Sequence, residues 1–193
     1  MANFTAKDVN ELRKSTGVGM MDCKKALTEA DGDVEKAIEL LREKGLATQA
    51  KKAGRVAAEG MVVAKVNADN SVGCVVEVNS ETDFVAKNET FQSFVKAVAA
   101  QAVNSDAKDM DAFMAEKWEK DPTLTVKEAL SSQISIIGEN MNIRRFEQVE
   151  EADGFVASYI HGGGKIGVLV DVVTDVVNDA VKEMARNVAM QIA

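Results

Sequence analysis

The chain has 193 residues, 46% hydrophobic and 28% charged, the balance of a globular protein with room for one ordinary domain and a small second one. Its formal net charge of −8 weighs against a nucleic-acid backbone as the main partner, because phosphate contacts need clustered Lys and Arg; it suits a basic or mixed protein surface instead. No run of eighteen apolar residues is present for a membrane span, and MANFTAKDVNELRK lacks the apolar stretch of a secretory signal, so a cytoplasmic location is expected.

Residues 5–46 predict three short helices. Thr5 is placed to cap the first, which carries Val9, Leu12 and Arg13, with Asp8 as its acidic first-turn residue and Gly17 and Gly19 to end it. Met20, Cys23, Lys24 and Leu27 follow the i, i+3, i+4, i+7 spacing of one face of the second helix. Asp31, Gly32 and Asp33 form a turn and cap before the third, whose stripe is Val34, Ala37, Ile38 and Leu41, closed by Gly45. Adjacent Met20 and Met21 point about 100° apart on a helix, so burying both is difficult. Either both pack in the bundle or one belongs to an adaptable protein-binding surface. The stretch LATQAKKAGRVAAEG has almost no large apolar residues and reads as a partly helical linker.

An internal repeat follows. GMVVAKVNADNSVGCVVEV (60–78) aligns with GFVASYIHGGGKIGVLVDV (154–172) at an offset of 94 residues, and both read as strand, turn and strand. The helical patterns FQSFVKAVAAQAV (91–103) and VKEMARNVAMQIA (181–193) align at an offset of 90. The first copy therefore carries four extra residues between hairpin and helix, in the stretch NSETDFVAKNET. An insertion on a repeated scaffold is a natural place for function. Its Phe84 either folds back onto the hairpin or stands out from it, and Asp83 is a candidate cap for a helix starting near Phe84. Between the copies, residues 106–120 (Met110, Phe113, Met114, Trp118) predict a helical stretch, Pro122 restarts the chain, and Thr125 and Glu128 form a capping-box pattern. The segment 131–150 carries Ile134, Ile137 and Met141 toward Arg144, Arg145 and Phe146, the two arginines expected in surface salt bridges.

Catalytic constellations are absent from the sequence. There is no nucleotide-binding P-loop, and the run His161-Gly162-Gly163-Gly164 has no accompanying nucleophile elbow. The repeat assigns that run to a hairpin turn, where glycine supplies positive φ. Cys23 and Cys74 are expected to be reduced and at least partly packed. With one histidine and distant cysteines, neither a metal site nor a cofactor is expected, and no enzyme activity.

Four motifs taken in order, LRKSTGVGMMDCKKAL (12–27), VEVNSETDFVAKN (76–88), IGENMNIRR (137–145) and YIHGGGKIGVLV (159–170), resemble the bacterial elongation factor Ts family, from about residue 5 to the last residue. The resemblance implies a guanine-nucleotide exchange factor for elongation factor Tu in translation elongation, not a catalyst of covalent chemistry. It implies an α+β fold: an N-terminal three-helix, ubiquitin-associated-like bundle, then a core of duplicated hairpin-plus-helix (ββα) subdomains. With the residue patterns, this divides the chain into the bundle (1–46), a linker (47–59), a first core subdomain with a helical insert (60–150) and a second core subdomain (151–193). The second is expected to be cut short on its C-terminal side, since longer family members continue further. The family's partner-binding positions correspond to Thr82, Asp83, Phe84 and Val85, which dislodge the partner's Mg²⁺. The others correspond to Met20, Met21 and Lys24 on its nucleotide-binding domain, and to Ile137 and His161 at or near the interface. No direct nucleic-acid or membrane partner is implied. The alternative is a protein-interaction module that docks without affecting nucleotide.

Overall fold

The computed structural model describes residues 3–193. The chain divides into two compact units, one formed by the residues up to Val56 with Lys127–Asn140, the other by Ala57–Val126 with Met141–Ala193. The first is helical and the second mixes strands and helices, so the class is α+β.

In the first unit, α1 (Ala6–Thr16) opens with a complete capping box: the Thr5 hydroxyl accepts from the Asp8 N–H, and the Asp8 carboxylate accepts from the Thr5 N–H. Gly17 closes it at φ 69°, in the left-handed region. Gly19 instead caps the start of α2 (Met20–Glu29). The buried face of α2 is Cys23, Ala26 and Leu27, while Met20 and Lys24 lie off it. This corrects the expected stripe, because the helix turns its small residues toward α1 and α3 and leaves its first turn outside. In α3 (Val34–Lys52) Ala37 and Leu41 are buried and Val34 is exposed. Gly45 does not end this helix. The Ala, Gln and Lys residues after it are good helix formers, and the missing side chain lets another helix, Val126–Ile137, come close: a Cβ on Gly45 would sit 3.4 Å from Ser135 Oγ. Gln49 accepts a hydrogen bond from Ser131 across the same seam.

The second unit is built on two hairpins. β1 (Glu59–Val66) pairs antiparallel with β2 (Val72–Ser80). A short helix α4 (Asp83–Ala86) and the longer α5 (Glu89–Ala102) follow. Then come α6 (Met110–Ala115) and the two-stranded ribbon β3 (Lys117–Trp118) and β4 (Asp121–Thr125); the next element, α7 (Val126–Ile137), lies in the first unit from Lys127 on and is the helix that approaches Gly45. The helix expected over 106–120 thus stops at Ala115, and Pro122 lies within β4. β5 (Met141–Glu150), which sequence reasoning did not anticipate, joins the first hairpin as a third strand in the order β1-β2-β5. The second hairpin is β6 (Gly154–His161) with β7 (Ile166–Val173), followed by α8 (Asp179–Ile192).

The two hairpins share one register. Gly60 faces Asn79 in the first, and Gly154 faces Val173 in the second, each residue displaced by the same 94 positions. Their inner faces pack on each other through the same contact seen from either side. A Cβ on Gly73 would fall 2.5 Å from Val156 Cγ1 and 3.3 Å from Leu169 Cδ2; one on Gly167 would fall 2.6 Å from Val62 Cγ1 and 2.9 Å from Val75 Cγ2. Backbone bonds repeat the exchange at the outer strand edges: Val62 N–H donates to Gly164 O and Val156 N–H to Asn70 O, both at 2.7 Å. Asn70 and Gly164, the two acceptors, both have positive φ. The opposite face of β2 presents Cys74, Val76 and Val78, all fully buried, and α5 packs against β1 and β2. The helices match as well: each is fourteen residues long and capped by an asparagine, Asn88 or Asn178.

The crowding at the two glycines generates a matched pair of predictions. Gly73→Ala and Gly167→Ala should each lower stability by about 1–3 kcal/mol through overpacking, measured by urea unfolding, and by similar amounts because the contacts are equivalent. Cys74 supplies another. Burial, with a smaller effect from the Glu147 carboxylate, pushes its thiol up to about 12. In the folded chain Cys74 should therefore resist alkylation at pH 8, with on the order of one thiol in ten thousand ionised, and react once denatured. The folded state holds that proton to higher pH than the unfolded chain, so the stability it contributes is complete below the usual thiol range and lost as pH rises toward about 12. Peptide mapping after pulse alkylation reads the first effect.

Candidate functional site

Within the interval where the first copy exceeds the second by four residues lies α4, a single helical turn just after β2. Thr82 caps it, accepting from the Val85 N–H at 3.3 Å. Asp83, considered above as a cap, is the first residue inside the turn. The Ser80 hydroxyl donates to Thr82 O at 3.1 Å before the turn, and Gln92 Nε2 donates to Ala86 O at 3.3 Å after it. A turn this short has no stability of its own; these bonds tie it to the strand and helix on either side. The tethering leaves Phe84 82% exposed, with Val85 half-buried beside it. The ring does not fold back onto the hairpin.

Asp83 bonds Lys87 one turn later at 2.7 Å. That hydrogen bond, reinforced by the ammonium charge, holds the Asp83 carboxyl below the usual range. The same pair raises Lys87, with a further contribution from the Glu59 charge. Asp83 is thus an anion beside the exposed ring.

His161 ends β6 and is exposed, as expected for a turn residue, with Tyr159 Oη 3.2 Å from its Nδ1. The following glycines have φ of 59°, 66° and 95°, so the His-Gly-Gly-Gly run serves the turn conformation. Gly164 is buried over Met61, whose Cγ would lie 2.9 Å from an added Cβ. Lys165, just beyond, bonds the Glu59 carboxylate at 2.7 Å.

The other sequence-predicted residues lie in the first unit. Met20 and Met21 are both exposed, at 51% and 65%, and Lys24 is exposed on the same helix. Ile137, half-buried, ends α7; the Cδ1 of its neighbour Ile136 would lie 3.1 Å from a Cβ on Gly17, in the loop leading to α2. The site residues therefore form two groups: Met20, Met21, Lys24 and Ile137 in one unit, and Thr82, Asp83, Phe84, Val85 and His161 in the other.

Arg144 and Arg145 converge on one carboxylate. A bulge sets Glu77 opposite Arg145 and Val78 opposite Ile143, leaving Arg144 unmatched, and the local twist turns both guanidinium groups to the same side. Glu77 accepts from Arg144 at 3.2 Å, Arg145 at 2.8 Å and Asn79 at 3.1 Å. Burial opposes its charge, but these donors and the guanidinium charges outweigh it and hold the carboxyl below its ordinary value. Sequence reasoning gave no role to Glu77, Glu59, Lys87 or Lys165, although all but Glu59 lie inside the motifs quoted above; only the fold shows their ion pairs. Among the described residues no cluster of His, Cys, Asp and Glu could hold a metal ion, and no helix is long and apolar enough to cross a membrane.

Comparison with known proteins agrees with the motif order. The family model described as Elongation factor TS matches residues 81–193. The chain is 54% identical over 189 residues to Elongation factor Ts of Clostridium novyi (strain NT), covering 98% of this chain and 62% of that protein. It is 55% identical over 193 residues to the protein of the same name from Clostridioides difficile (strain 630), covering 100% and 63%. For Trichlorobacter lovleyi the identity is 55% over 168 residues, 87% of this chain and 54% of the relative. The chain thus spans about three fifths of the length of the curated relatives it matches. With the model covering more than half of its residues and the relatives nearly all of them, the chain belongs to the elongation factor Ts family.

Proposed function

We propose that this chain is a guanine-nucleotide exchange factor acting in translation elongation on the cytoplasmic GTPase elongation factor Tu, with no cofactor and no covalent chemistry of its own. The observation that carries the reading is Phe84: a large ring 82% exposed on a turn fastened at both ends. A free phenyl ring in water is unfavourable, and its rigid mounting suits insertion into a partner.

A GTPase holds GDP through phosphate contacts and Mg²⁺. Phe84 and Val85 act as an apolar wedge between partner elements near that ion, while Thr82 and Asp83 offer oxygen acceptors that compete for groups ordered around the metal. Met20, Met21 and Lys24 dock the partner's nucleotide-binding domain, the two flexible thioethers adapting to an apolar surface, and Ile137 and His161 contribute at the margins of the interface. The front helices are a ubiquitin-associated-like bundle that presents the methionines, and the paired hairpins with their helices are two ββα subdomains, the first carrying the wedge. On this reading the functional boundaries run 1–46, 47–59, 60–150 and 151–193.

Exchange follows from linkage. If bound factor weakens GDP by some ratio, GDP weakens the factor by the same ratio, so GDP leaves from a ternary complex and incoming GTP displaces the factor. The test is release of a fluorescent GDP from elongation factor Tu on adding the chain. Phe84→Ala should slow that release on the order of 30-fold, while its folding stability stays within about 0.5 kcal/mol of the parent because the ring is exposed. Undiminished release with the variant would exclude the wedge. Binding without any acceleration by the parent would leave a docking module.

A further inference from the structure

The helix that follows the Phe84 turn reaches back to it. Gln92, the fourth residue of α5, donates from Nε2 to the carbonyl of Ala86, the last residue of α4, at 3.3 Å. A single helical turn leaves its final carbonyls without partners of its own. The Ala86, Lys87 and Asn88 N–H groups return to Thr82 O, Asp83 O and Val85 O. Those bonds shape the turn, and the Gln92 bond joins its end to the helix behind it.

Gln92 is itself held in place. Its N–H donates to Asn88 O at 2.9 Å, and the Asn88 side chain accepts from the Thr90 and Phe91 N–H groups, so the first turn of α5 is closed around it. Its neighbour Phe91 is fully buried, and Phe94 and Val95 fix the next turn in the core. The amide is thus offered from a helix locked by packing, and it is half-buried, where water competes less for the bond. α4 also packs on β1 and β2, which seats the turn; the Gln92 bond restrains its C-terminal end. In the second copy the residue aligned with Gln92, at the offset of 90, is Lys182, which is exposed. No helical turn precedes it there, and Thr174 accepts from the Val176 N–H at 3.1 Å, where Thr82 reaches one residue further, to Val85. The reach-back belongs to the copy that carries the ring.

We propose that Gln92 is a positioning residue for exchange: through Ala86 O it sets the angle at which α4 presents Phe84 to the GTPase, without touching the partner itself. The proposal rests on the exchange reading above. A neutral hydrogen bond shifts a local equilibrium by about threefold to tenfold, too little to decide the fold of a unit whose core is otherwise intact. A misplacement of about 1 Å, by contrast, can cost on the order of 100-fold in rate, so the bond matters more to the aim of the ring than to folding.

A double-mutant cycle on the whole chain tests it. Gln92→Met keeps the length of the side chain and removes the donor; it is made alone and together with Phe84→Ala. Release of fluorescent GDP from elongation factor Tu is followed across factor concentrations, with thermal melting alongside. Gln92→Met should lower the maximal release rate about threefold to tenfold, leave the half-saturating concentration unchanged, and keep the melting temperature within about 3 °C. In the Phe84→Ala background it should add less than about twofold, because the ring through which it acts is gone. Effects that multiply in the double variant would mean that Gln92 meets the partner by itself and would overturn the positioning role. A rise in the half-saturating concentration with the maximal rate intact, or a loss that tracks a lowered melting temperature, would overturn it as well. If Phe84→Ala slows release while Gln92→Met matches the parent, the positioning role alone falls; if the unaltered chain accelerates nothing, both readings fall.

Discussion

The second unit depends on a reciprocal embrace of two hairpins. Each supplies a glycine where the other needs contact, Gly73 under Val156 and Leu169, Gly167 under Val62 and Val75, and each supplies a turn carbonyl to the other's outer strand edge. Side chains at the two glycine positions would hold the faces apart, and the pairs Val62–Gly164 and Val156–Asn70 would then be broken. The contact also satisfies N–H groups on the edges of β1 and β6 that would otherwise be open to another chain. Because the arrangement is symmetric in its parts, one local solution is used twice.

The asymmetry laid over this scaffold is as informative. In the first copy α5 buries Phe91, Phe94, Val95 and Val98, with the Trp118 ring tilted against Phe94 at 5.7 Å between centroids. Gln101 secures that cover, donating to Glu116 and Lys117 O and accepting from the Glu119 N–H. In α8 the matching Gln191 is exposed, and only Ala185 and Ala189 are buried. The first copy also has the third strand β5, whose bulge lets two arginines reach one glutamate. The copy that is more fully covered also carries α4, and a rigid mounting is what an exposed ring requires if it is to act on a partner rather than collapse onto its own hairpin.

Electrostatics around that turn are local. Asp83 and Lys87 satisfy each other, and Glu59 bonds Lys165. None of these pairs is buried, so they add little to stability. The core in both units is apolar, and buried Asn79 and Gln101 have their partners, whereas Gln133 Oε1 and Ser135 Oγ in α7 are buried without one among the described residues.

Much of this was legible in the residues. The cap at Thr5 with Asp8 in the first turn, the duplicated hairpins and their helices, and the four-residue surplus near Phe84 are local or periodic patterns, and local sterics and hydrogen bonding suffice to specify them. Other features were decided only by tertiary structure. The strand β5 was hidden because its alternation breaks at Arg144 and Arg145, where the bulge absorbs one residue. Gly45 reads as a stop, yet it is a point of close approach, because a helix more than eighty residues later needs the space. Whether Phe84 and the two methionines faced inward was open, since an apolar side chain in a turn or first helical turn carries no record of which surface it meets. The Glu59–Lys165 pair shows no pattern at all; it depends on the docking of a turn from the second hairpin, which brings together residues that the chain holds far apart.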